Sequence, residues 1–193
     1  MKDLNDILLS EVEDFRMIGH KFLNGEITKI GFKGTSGGMG VYAHHSGKEF
    51  MIRFRIPSGI ASIKDLKLIY DFAVRYKLDN IHLTTRQAVQ LHGITIDEVC
   101  DAMEEGIKKG LYSRGSGGNF PRNVSVSPLS GVDVEDVFDV SPYALAVGKH
   151  FLSKVYTYKL PRKLKVAFSS SEKDDSHDFW LLKKMAQNFL KYI

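Results

Sequence analysis

Three pairs of polar residues stand two apart in this chain, each around one apolar residue. They are Arg53 and Arg55 about Phe54, Gln90 and His92 about Leu91, and Lys163 and Lys165 about Leu164. Residues two apart on a β-strand face the same way, so each pair is delivered together to one side of a sheet. Arg86 lies four residues before Gln90 and shares its parity if that strand begins early, and Arg122 follows Pro121 in a loop. Any one pair describes the wet face of a half-buried sheet. Three such faces and two further arginines, if they converge, describe a site for a small oxyanion or a ligand bearing several carboxylates. Arginine offers carboxylate a planar fork and lysine offers a point charge. Without an anion such a cluster repels itself.

The elements that must carry these residues follow from periodicity and turn chemistry. Leu4, Ile7, Leu8, Val12, Phe15, Ile18 and Phe22 predict an amphipathic helix from Asp3 to about Leu23. The glycine-rich run from Gly31 to Gly40 reads as a mobile loop without the strand–loop–helix context of a phosphate-binding fingerprint. A hairpin is expected from Gly40 to Ile56, turning at His45-Ser46-Gly47. Ser62 caps a helix to about Tyr76, with Leu66, Ile69, Tyr70, Phe72 and Ala73 as its apolar stripe. Short strands follow at 80–84 and from Ala88 to Ile94. The capping box Thr95 to Glu98 then opens a helix that Gly110 closes. Strand, helix, strand, strand, helix specifies an α+β chain with a ferredoxin-like α/β sandwich half-domain. Beyond Gly110 come a Ser/Gly loop carrying Arg114, a short β-like stretch from Asn123 to Ser127, a helix from Ser141-Pro142, and a strand from Lys163 to Phe168.

Composition narrows the chemistry. One cysteine, Cys100, excludes an intrachain disulfide and an all-thiolate cage for zinc or iron–sulfur, and its helical setting makes it a small buried hydrophobe. The net charge of +4 permits an anionic partner without requiring one. No apolar run is long enough for a membrane span, and the polar start, Met1 to Asp6, is unlike a secretory signal, so a cytoplasmic address is expected. Nucleic acid is not an expected partner, because the cations lack an aromatic stacking platform. His44 and His45 read as exposed turn residues. His20, His150 and His177 lack ligand spacing, so no protein-held metal is assigned.

Four segments, in order, resemble the nitrite and sulfite reductase family: 51–59 (MIRFRIPSG), 83–94 (LTTRQAVQLHGI), Arg122-Asn123-Val124, and 160–165 (LPRKLK). The resemblance spans about Phe15 to Ser171 and implies a ferredoxin-like half-domain followed by a partial sirohaem-binding α/β module. Its boundaries would be an N-terminal helix at 1–30, the half-domain at 31–112, the partial module at 113–171 and a divergent C-terminal helix at 172–193, with Trp180 as its anchor. By motif position, Arg53, Arg55, Arg86, Gln90, His92 and Arg122 would hold sirohaem, a tetrapyrrole with eight carboxylates. Arg53, Arg122, Lys163 and Lys165 would face sulfite or nitrite at the iron. His82 and Gly118 depart from residues that some relatives use for the cofactor. The resemblance also implies a second, related half and four cysteines for a 4Fe–4S cluster, which this chain cannot supply. A truncated reductase, an expressed fragment or a dedicated half-size protein all fit, inactive alone. A non-catalytic tetrapyrrole-binding module is the alternative, and a homodimer would replace the missing half.

Overall fold

In the computed structural model, residues 3–170 are described, apart from Glu135 and Val137. The expected C-terminal helix at 172–193 and Trp180 lie outside the described residues. Helix α1 (Leu4–Leu23) starts at Asp3, whose carboxylate caps the Leu4 amide, and buries Leu8, Val12 and Phe15. Strands β1 (Val41–Ala43), β2 (Phe50–Arg55), β3 (His82–Leu83) and β4 (Ala88–Ile94) form an antiparallel sheet in the order β1-β2-β4-β3. Helix α3 (Ile63–Arg75) joins β2 to β3, and α4 (Ile96–Lys109) follows β4; both begin with a complete capping box, at Ser62/Asp65 and Thr95/Glu98.

The helices cover one face of this sheet. Phe50, Ile52, Phe54, Val89, Leu91 and Ile94 join Phe15, Phe72, Val99 and Met103 in a single core. The other face carries Met51, Arg53, Arg55, Ala88, Gln90 and His92. A register shift between Phe50 and Met51 keeps these sets apart: Met51 opposes His92 while Phe50 opposes Ile94, leaving Gly93 as the extra residue. Its φ of 78° suits glycine. His92 and Ile94 therefore share parity in sequence but lie on opposite faces.

Two expectations need correction here. The glycine-rich 31–40 run is no loop: Lys29–Met39 is a helix, α2, capped by Thr28 and closed by Gly40 in the left-handed conformation. Each glycine inside a helix costs about 1 kcal/mol relative to alanine, and packing offsets that. Phe32 is buried and stacks on Phe22 at 4.4 Å. A Cβ on Gly38 would sit 2.9 Å from the Phe120 ring, so the bare backbone admits the 113–120 segment. The α3 stripe is also displaced. Leu68, Ile69 and Phe72 are buried, whereas Leu66 and Tyr70 are 54% and 62% exposed.

A smaller layer follows. Strands β5 (Ser125–Val126) and β6 (Ala167–Phe168) pair in parallel, and α5 (Ser141–Ser153), with Pro142 in its first turn, packs Ala144 against Val124 and Val126. The expected Lys163–Phe168 strand is regular only at its end. Upstream, Leu164 bridges to Pro121 and its carbonyl accepts from the Arg122 amide at 2.9 Å. Among the described residues no helix is long and apolar enough to cross a membrane.

Candidate functional site: a cationic cleft beside the open sheet face

The two layers are joined by side chains that occupy backbone groups. Asn123, itself buried, donates from Nδ2 to the carbonyls of Ile56 (2.7 Å), Arg86 (3.1 Å) and Gln87 (2.9 Å). Gln87 holds a φ of 53°, a conformation that costs a non-glycine residue about 1–2 kcal/mol. Its amide offsets this by donating to the Val126 carbonyl (2.6 Å) and accepting from the Val126 amide (3.0 Å). The turn bearing Arg86 is thereby fixed against the strand that follows Arg122. Arg114 anchors the 113–118 loop through Glu11 (2.7 Å) and the Gly38 carbonyl (3.0 Å), with its guanidinium over Phe120.

These ties bound a cleft of about 210 Å³. The sheet contributes Arg53 and Ala88; the β3–β4 turn contributes Thr84, Thr85 and Arg86. The connecting loop adds Ser116, Arg122 and Asn123, and the segment before β6 adds Lys163 and Lys165. Among the described lining residues five are cationic and none is acidic. The Ser116 carbonyl accepts from both Arg122 (2.6 Å) and Arg53 (3.3 Å), while Arg122 also donates to the Gly118 carbonyl at 2.9 Å. Arg122 Nε is buried without a partner. Burial draws the Arg122 guanidinium below its ordinary pKa, with Arg53 and Arg86 adding in the same sense and Tyr42 opposing. A bound anion would be attracted to these clustered cations.

The sequence-selected residues divide by location. Arg53, Arg86, Arg122, Lys163 and Lys165 meet in the cleft. Gln90 and His92 lie beside it on the same sheet face, Gln90 opposing Arg53 in the β2–β4 pairing. Arg55 is not brought to the cleft: it is 5% exposed, and its guanidinium donates to the carbonyls of Arg114 (3.3 Å) and Arg122 (3.2 Å). Burial, then the charge of Arg122, lowers its pKa to about 10. Its place is beneath the site, holding the loop that bears Arg122. His44 is not a free turn residue either; it is half-buried, with Nε2 at 3.3 Å from His92 Nδ1. Sequence reading missed Thr84, Thr85 and Ser116 as cleft walls. Adjacency to Arg86 marks the threonines, but nothing local marks Ser116.

The cleft's donors fit a carboxylate-bearing tetrapyrrole edge or a small oxyanion, because they are cations and hydroxyls rather than metal ligands. A 4Fe–4S cluster does not fit this chain by itself. Such clusters take about four thiolates, while the single cysteine, Cys100, is buried in the core with its thiol pushed up to about 12 by burial.

Comparison with known proteins identifies the family and the fold. Residues 42–108 match the nitrite/sulfite reductase ferredoxin-like half domain, and residues 117–182 match the nitrite and sulphite reductase 4Fe-4S domain. A ferredoxin–nitrite reductase of Leptolyngbya laminosa is 28% identical over 174 residues, covering 87% of this chain and 33% of that protein. A ferredoxin–nitrite reductase of Synechococcus elongatus is 32% identical over 134 residues, covering 66% of this chain and 26% of its own length. The structure of Mycobacterium tuberculosis NirA protein superposes with a TM-score of 0.67 at 23% identity, over 87% of this chain and 35% of that one, and shows the shared fold. The chain thus spans about a quarter to a third of the length of the relatives it matches. With two successive family matches and the fold in common, the chain belongs to the nitrite and sulfite reductase family.

Proposed function

We propose that the cleft is the anion-holding side of a sirohaem site, and that the chain binds this cofactor and an oxyanion without turning over alone. One observation carries the reading: five cations from four separate segments line one cleft. Arg53 and Arg86 flank the sheet side and would take carboxylates of the macrocycle. Arg122, held by two carbonyls, would add its guanidinium charge to the same side. Lys163 and Lys165, both exposed, would draw sulfite or nitrite and offer it protons from their ammonium groups. Bound sirohaem would supply the redox-active iron. Absorbance titration with sirohaem tests the reading: saturable binding weakened at least tenfold in Arg86→Ala is expected, and equal affinity in the variant would contradict it.

A homodimer is a second part of this proposal. The outward face of α3 exposes Ile63, Leu66, Tyr70 and Val74 at helical spacing. Antiparallel pairing of α3 with its copy would set Ile63 near Val74 and Lys67 near Asp71 of the other chain, matching apolar and charged positions. Light scattering at micromolar concentration should give twice the chain mass, and Leu66→Glu with Tyr70→Glu should return it to one.

A further inference from the structure

The loop at 113–118 reaches the cleft at Ser116 and is held from behind by the first two helices. Glu11 on α1 accepts from Arg114 at both carboxylate oxygens, Nε to Oε2 at 2.7 Å and Nη2 to Oε1 at 3.2 Å. Such a two-point pair fixes orientation as well as distance. Arg114 Nη1 donates to the Gly38 carbonyl on α2 at 3.0 Å, and the same carbonyl accepts from the Gly115 amide at 2.8 Å. The Glu11 and Arg114 side chains are only 29% and 14% exposed, so solvent screens them incompletely. Beyond the pair, bare backbone rests on bare backbone. A Cβ on Gly117 would strike the Gly37 carbonyl, and one on Gly118 would crowd the Gly38 amide.

This seating places two carbonyls at the edge of the cleft. The Ser116 carbonyl accepts from Arg122 at 2.6 Å and from Arg53 at 3.3 Å, and the Gly118 carbonyl accepts from Arg122 at 2.9 Å. The loop is neither helix nor strand, so no ladder fixes those carbonyls. Their position depends on the anchors on either side. Hydrogen bonds weaken steeply once stretched beyond about 3.5 Å, so a loop displaced by about an ångström would release Arg122. Glu11 and Arg114 do not line the cleft. They line a separate cavity of about 310 Å³ between α1, α2 and Phe120. Changing Glu11 therefore removes no group that lines the cleft.

We infer that Glu11 and Arg114 are positioning residues for the cleft, an assignment that rests on its sirohaem reading. The pair acts at a distance. It sets where the Ser116 and Gly118 carbonyls hold Arg122, and through Arg122 how tightly the anionic groups of the ligand are bound. Arg53, on the longer Ser116 bond, is affected less.

The test is absorbance titration with sirohaem of the full chain in four forms: wild type, Glu11→Ala, Arg122→Ala and the double variant. Glu11→Ala should weaken binding about fivefold in the wild-type background and less than about twofold in the Arg122→Ala background, the non-additivity expected of residues that act through one another. A pair that only stabilised the fold would lower the melting temperature and leave the affinity of the folded protein unchanged. Glu11→Gln keeps one acceptor oxygen for Arg114 and should lie between wild type and Glu11→Ala. It replaces Glu11→Ala in both backgrounds if circular dichroism shows that variant to be unfolded. Affinity equal to wild type in the folded variant, or the same loss with and without Arg122, overturns the positioning role and leaves the cleft reading standing. Wild-type protein without saturable binding overturns both.

Discussion

Arg122 and Lys163 illustrate how two cations in one cleft can do different work. Arg122 spends two N–H groups on the Ser116 and Gly118 carbonyls, so Arg122→Ala should destabilise the fold by about 1–3 kcal/mol through those orphaned acceptors, besides weakening anion binding. Lys163 is exposed, and Lys163→Ala should shift stability by less than about 0.5 kcal/mol. Denaturant unfolding of both variants separates the roles. His92 adds a pH dependence. Its folded pKa is depressed by burial and neighbouring cations, so the unfolded chain takes up a proton that the folded chain refuses. Stability should therefore fall as pH drops through the ordinary imidazole value of about 6.5, and His92→Gln should remove that part of the decline. Asp97 is lowered by hydrogen bonds from Arg16 and His20 that outweigh its desolvation, and Glu105 by hydrogen bonds from Arg75 and Lys109. Their contributions, present above the ordinary carboxylate range, are lost only at more acidic pH, in a separate window.

At the scale of elements, the positioning of the cleft depends on ties between strands that are short by themselves. Asn123 serves three carbonyls at the end of β2 and in the β3–β4 turn. Asn123→Ala should cost about 1–3 kcal/mol through the acceptors it leaves unpaired, above all the buried Ile56 carbonyl, and thermal unfolding would register the loss. Gly93→Ala should cost about 1–2 kcal/mol at its left-handed φ. What the sequence reveals here follows from local chemistry. The capping boxes at Ser62 and Thr95, the β2 and β4 alternation and Pro142 in the first turn of α5 are all visible as patterns. The helix at 29–39 is not, because its glycines read as a loop until Phe120 and Phe32 are packed against it. The α3 stripe keeps Ile69 and Phe72 but takes in Leu68 in place of Leu66 and Tyr70, which differ from it chiefly in what they meet. Arg55 shares parity with Arg53, but the 111–122 segment lies over it, which no local pattern records.

At the scale of the whole molecule, an acidic–basic seam fastens the first helix to the sandwich: Arg16 on α1 reaches Asp97, Asp101 and Glu104 on α4. The ferredoxin-like layer is thus closed on its helical face, and the 111–122 segment and the lysines before β6 lean over part of its polar face. The proposed division of labour follows from this arrangement, with cofactor and substrate charge gathered on this chain and no thiolate set to pass electrons. The most direct test of the central claim is the sirohaem titration with the cleft lysines removed together. Lys163→Ala with Lys165→Ala should leave folding intact, retain sirohaem binding through Arg53 and Arg86, and abolish the spectral shift that sulfite or nitrite produces in the wild-type complex. Wild-type protein that shows no saturable sirohaem binding, or a double variant whose oxyanion shift is unchanged, would contradict the account.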